Sequence, residues 1–236
     1  MARLAICFVV VAALTAAAWS RIELRSVSVV QLAAVCALGT VPALVAVLVQ
    51  RRGLRTWPAR LAVGGLTLLT TFCAFAYAFG VPLTEMRPGP QHDFFGPALG
   101  GFRDGFLDFY ETRLPFDRVD FPAMHGVVLV AVFGFVAVTG LLVALRRPVL
   151  AGFVLLLGTG WPATLLPSNR PLAGGALVLG GILTILFFAR ADGRALRGLP
   201  QAIVVALVLI GIAVGASTSS AVAKQAFVRH RNTPQE

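Results

Sequence analysis

The chain has 236 residues, 58% hydrophobic and 13% charged, with a formal net charge of +10. Soluble domains carry roughly a quarter charged residues, so a fold of this length in water is excluded. The positive charges stand in short clusters between apolar runs rather than along one face, which argues against nucleic acid as a partner and for roles in membrane orientation and headgroup contact.

Crossing the hydrocarbon as a helix takes about 20 apolar residues. Windows of that kind fall at 3–19, 27–49, 59–80, 126–145, 148–166, 171–189 and 200–222. They run continuously rather than alternating, so barrel strands are excluded and helices satisfy the backbone in lipid. The expected fold is all-α: a polytopic membrane helix bundle of about seven spans over 1–222, with a tail at 223–236.

Met1 to Ser20 also has the outline of a signal peptide, with Arg3 ahead of the apolar stretch and Ala16, Ala17 and Ala18 as a cleavage site. The length of the run favours a retained first span. Removing it would leave the sidedness of the other six unchanged.

Cys7, Cys36 and Cys73 fall in three different spans, where a thiol is a small apolar packing residue. The connections alternate in charge. Arg51, Arg52, Arg55 and Arg60 follow the second span, Arg146 and Arg147 the fourth, and Arg190, Arg194 and Arg197 the sixth. The other connections hold Arg21 and Arg25 with Glu23, an acidic loop, and Arg170. Positive residues favour the cytoplasmic side. The arginine clusters are therefore expected inside the cell membrane, with the N-terminus cytoplasmic and the C-terminus extracytoplasmic.

The extracytoplasmic loop at 81–125 carries seven of the ten acidic residues: Glu85, Asp93, Asp104, Asp108, Glu111, Asp117 and Asp120. Within it Phe102, Phe106, Phe109 and Tyr110 recur at helical spacing, with Asp104, Asp108 and Glu111 opposite. That pattern predicts a short amphipathic helix, its rings in the headgroup boundary or on the tops of the spans. Pro115 and Pro122 predict an extended run over 113–122.

Asp104 with Asp108, and Asp117 with Asp120, read as solvated carboxylates rather than acid and base pairs. His92 and His125 flank the loop without a third ligand at metal spacing. No catalytic residue, metal or cofactor is assigned. Gly64-Gly65, Ala176 with Gly180, and Gly211 with Gly215 are candidate close-approach points between helices. Gly158 to Pro162 predicts a kink near the outer end of the fifth span, with Trp161 at the interface.

Gly105-Phe-Leu-Asp-Phe-Tyr-Glu-Thr, Leu-Pro-Phe-Asp (114–117), His125, Arg146-Arg147-Pro148, Gly160-Trp-Pro-Ala-Thr and the stretch 223–232 together resemble the N-terminal membrane region of actinobacterial transglutaminase-like proteins. The resemblance covers nearly the whole chain through short motifs. It implies membrane helices ahead of an extracytoplasmic papain-like domain with a Cys, His and Asp set, none of which has a matching position here. The function expected is a non-catalytic membrane domain that anchors or organises an extracytoplasmic transglutaminase-like or other cell-envelope activity, with the lipid bilayer and an extracytoplasmic catalytic domain or other membrane or envelope proteins as partners. Two other classes stay open: a transporter or channel subunit, for which the spans offer only hydroxyls such as Thr67, Thr70, Thr71, Thr139 and Thr184, and an adaptor whose inner arginines meet a cytoplasmic partner.

Overall fold

The computed structural model describes residues 2–24, 27–53, 56–86, 95–166 and 171–188. Arg25, Arg55, His92, Arg170, the cluster Arg190, Arg194 and Arg197, the seventh expected span and the tail lie outside the described residues.

The described residues are helical, in the order α1 (Ala2–Trp19), a 3-10 turn (Ser20–Ile22), α2 (Val29–Arg51), α3 (Trp57–Phe79), α4 (Gly96–Glu111), α5 (Pro122–Ala144), α6 (Pro148–Leu165) and α7 (Pro171–Phe188). Five of them (α1 with its turn, α2, α3, α5 and α6) are long and apolar enough to cross a membrane. The apolar stretch of α7, Gly174–Phe188, is shorter. The chain is thus a multi-span helical membrane protein, with five helices of spanning length among the described residues.

Proline sets most of the starts. α3, α4, α5 and α6 have Pro at their first or second position, where its fixed φ suits the helix and its missing N–H is no loss. This moves one boundary inward from expectation. α5 begins at Pro122, so His125 lies in its first turn rather than in the loop. α3 ends on Gly80 at φ 63, with Val81 N–H donating to the Ala76 carbonyl at 2.9 Å, the left-handed termination that glycine makes cheaply.

α5 is the central helix and touches α1, α2, α3, α4 and α6, while α7 lies against α1 and α6. Val128, Val132 and Val136 on it are fully buried. In lipid the gain from such contacts is dispersion and close approach rather than expulsion of water. Accordingly glycines stand where α2 and α5 approach closely. A Cβ on Gly39 would stand 3.1 Å from the Phe133 carbonyl oxygen, and one on Gly140 would stand 3.2 Å from Ala43 Cβ. These contacts order 39 against 133 and 43 against 140, so α2 runs parallel to α5. The expected close approach at Gly64-Gly65 is not made. A Cβ at either, or at Gly180, would meet nothing within 4 Å. Gly181 instead receives Leu14 of α1.

Up-and-down connection gives the bundle two ends. One carries Arg51, Arg52, Arg60, Arg146 and Arg147, all exposed. The other collects the end of α1, the end of α3, the start of α5 and the segment 95–121, and forms a cap.

Candidate functional site: the capped end of the bundle

Glu23 follows the 3-10 turn after α1 and His125 lies in the first turn of α5. Their side chains meet at 2.8 Å between Glu23 Oε1 and His125 Nδ1, with 0% and 12% of the respective side chains exposed. With a carboxylate as acceptor, Nδ1 carries the hydrogen and donates it, which fixes the ring's orientation. Glu23 Oε2 and His125 Nε2 are buried without a protein partner.

The backbone around the pair is also tied. Phe116 N–H donates to the Ile22 carbonyl at 3.1 Å and Leu24 N–H to the Phe116 carbonyl at 2.9 Å. This is a parallel bridge between Glu23 and Phe116. It holds the strap 112–121 against the end of α1, where an extended run over 113–122 was expected. The strap contains a cis Leu114-Pro115 peptide and a turn at 118–120. Ile22, Phe116 and Met124 are fully buried, and Phe109 and Phe121 set their rings edge-on to Phe116 at 6.0 and 6.5 Å. The carboxylate and the imidazole are enclosed among aromatic and aliphatic side chains, and their contact ties the end of α1 to the start of α5.

α4 roofs this arrangement. Its contact face is small: a Cβ on Gly105 would run into the backbone of Ala123, and one on Gly101 would stand 2.9 Å from the Phe79 ring. The four expected aromatic positions divide. Phe109 turns inward onto Phe116. Phe102, Phe106 and Tyr110 form a ring ladder at 6.4 and 5.6 Å, continued to Phe75 of α3 at 5.8 Å. Asp104 and Glu111 are exposed and Asp108 is half-buried.

A third tie braces the same end. Trp19 Nε1–H donates to the Gly158 carbonyl at 2.8 Å, and the indole stacks on Phe135 with centroids 6.0 Å apart. α6 stays helical through Pro162.

The sequence pointed to the aromatic positions and the arginines but not to Glu23, which reads there only as an acid in the connection with Arg21 and Arg25, nor to His125, which reads as a loop residue. A signal was present. Glu23 is one of only three acidic residues outside 81–125, set between Ile22 and Leu24, and His125 stands three positions after the helix-starting Pro122. Among the described residues, no group of three or more His, Cys, Asp or Glu is placed to hold a metal ion. The hydroxyls of Thr67, Thr70, Thr71 and Thr184 bond to carbonyls of their own helices, whereas Thr15 and Thr139 are buried without a partner.

No family model matches the chain, and no curated protein or solved structure matches it either.

Proposed function

We propose that the chain is a non-catalytic membrane scaffold of the plasma membrane whose capped end faces outward and holds an extracytoplasmic cell-envelope activity in place. The observation that carries this reading is where the polar order lies. No Asp, Glu, Lys or Arg stands in the middle of a described span, and the two short side-chain ties between separate elements, Glu23 to His125 and Trp19 to Gly158 at 2.8 Å each, are gathered at the cap, with only the long thiol contact of Cys36 to the Ala12 carbonyl at 4.0 Å lying deeper among the described residues. Ion or proton transport generally needs ionisable groups at mid-depth; a rigid end needs only to be fixed. The likeness of the loop and strap motifs to the membrane region of transglutaminase-like proteins names the class of activity the platform would serve. Exposed arginines at the opposite end fit the cytoplasmic side.

Two measurements test the proposal together. In a background without the native cysteines, Asp108→Cys is labelled by an impermeant maleimide from outside intact cells, and Arg52→Cys only after permeabilisation. A photo-crosslinking residue at Val119 captures a protein bearing an extracytoplasmic domain, while one at Arg52 does not. Solute flux or substrate turnover by the purified chain in vesicles, or capture only from position 52, would overturn the scaffold reading.

A further inference from the structure

The circumference of α4 divides into three sectors at about 100° per residue. Ala98, Gly101 and Gly105 face α5 and Phe79. Asp104, Asp108 and Glu111 form an acidic sector beside that face. The remainder is apolar and open: Leu99 is 55% exposed, Phe106 41%, Leu107 50% and Tyr110 77%, with exposed Arg103 set among them.

What covers this open sector follows from the helix beneath it. Leu61, Leu68, Phe72, Phe75 and Phe79 recur at helical spacing along one face of α3, a helix long enough to cross a membrane. Its lower part is bare, with Leu61 at 55% and Leu68 at 72% exposure, as expected of a surface turned to acyl chains. Near the cap, Phe95 sets its ring edge-on to Phe72 and Phe75 at 5.2 and 5.8 Å, and Phe102 packs on Phe75 at 5.8 Å. The ladder Phe102, Phe106, Tyr110 therefore continues a lipid-facing surface upward without a break. Its outermost member is a tyrosine, whose ring is apolar and whose hydroxyl is polar, the combination that collects where acyl chains meet headgroups. Arg103 is long enough to lay its stem along the apolar sector and lift its guanidinium to phosphate level.

We propose that α4 is an interfacial helix that binds phospholipid of the leaflet at the capped end. Phe106 and Tyr110 lie in the boundary between acyl chains and headgroups, Arg103 meets the phosphodiester, and Asp104, Asp108 and Glu111 face water. Phe109 has no part in this and serves the core beside Phe116. The inference uses no assignment of which side is outside, so it stands apart from the scaffold reading.

Spin labels placed singly at 104, 106, 110 and 111 of the full chain, freed of native cysteines and set in phosphatidylcholine nanodiscs, test it through collision with oxygen and with a water-soluble nickel chelate. Phe106 and Tyr110 belong to the ladder, Asp104 and Glu111 to the acidic sector, and all four are exposed, so labelling leaves the core intact. The expected result is a several-fold higher oxygen-to-nickel ratio at 106 and 110 than at 104 and 111. Equal nickel access at all four positions places the ladder in water and overturns the proposal. Exclusion of both reagents from 106 and 110 overturns it in the other direction, since the ladder is then covered by protein.

Discussion

The indole N–H of Trp19 bonds to the one carbonyl that Pro162 leaves without its intrahelical donor. Position 162 would normally donate to the carbonyl four residues before it, Gly158; proline has no N–H, and Trp19 Nε1 fills the vacancy at 2.8 Å. A Cβ at Gly158 would stand 2.6 Å from Phe135, the ring on which Trp19 stacks. Trp19, Phe135, Gly158 and Pro162 thus act as one brace between α1, α5 and α6, and in lipid no water is at hand to replace the bond.

Trp19→Phe keeps a ring against Phe135 and removes the donor. The expected loss is about 1–3 kcal/mol for a buried carbonyl left unpaired, read by denaturant or thermal unfolding in detergent. In a Pro162→Ala background the new backbone N–H serves Gly158, and the same Trp19→Phe change costs less. Equal losses in both backgrounds would show that the bond to Gly158 is not what Trp19 contributes.

Glu23 and His125 join the end of the first span to the start of the fourth crossing helix. Removing either partner strands a buried polar group, which costs on the order of 3 kcal/mol in such pairs. Glu23→Ala and His125→Ala are each expected to loosen the cap, seen as faster hydrogen exchange over 112–125. The double variant is expected to lose less than the two single losses added together. Simple additivity in that cycle would remove the tie from the account of the cap.

Gly105 and Gly100 differ by five positions on one helix and are expected to respond in opposite ways. Gly105→Ala drives a methyl into the Ala123 backbone, and overpacking of this kind costs about 1–3 kcal/mol. A Cβ at Gly100 meets nothing within 4 Å. Gly100→Ala should therefore be neutral or stabilise α4 by about 0.5–1 kcal/mol through a lower chain entropy when unfolded. Proteolysis of the cap in mild detergent distinguishes them, and a Gly105→Ala protein as resistant as wild type would mean that α4 does not dock through that glycine.

The spans were legible because membrane thickness converts directly into a length of apolar sequence, and α4 because its rings and carboxylates repeat at helical spacing. The ties that make the cap were not. His125 and Glu23 are 102 positions apart and Trp19 and Gly158 are 139 apart, and no local period encodes a contact at that range. Glycine was similarly ambiguous: Gly64-Gly65 and Gly140 look alike in sequence, yet only Gly140 faces another helix closely. A small residue permits approach, and the partner is decided by the packing of the whole bundle. Phe109 illustrates the same limit within α4, where it shares the spacing of Phe106 and Tyr110 but is drawn inward by Phe116.

Arg146 does two jobs that pull against each other. It occupies the left-handed region at φ 58, where its N–H donates to the Val143 carbonyl at 3.1 Å and that of Arg147 to the Leu142 carbonyl at 2.8 Å. This is the double-bonded helix ending that glycine normally supplies, and it lets α6 begin at Pro148 after a three-residue turn, Leu145 to Arg147. A side chain in that region costs roughly 1 kcal/mol relative to glycine, so Arg146→Gly is expected to stabilise the purified bundle by about that amount in detergent. The same change removes one of the exposed positive charges at the arginine end, which bias insertion. The fraction of chains in the proposed orientation, read by Asp108→Cys labelling, should therefore fall or stay level while stability rises. An Arg146→Gly protein that melts lower than wild type would show that the arginine side chain, rather than the turn it occupies, holds this corner.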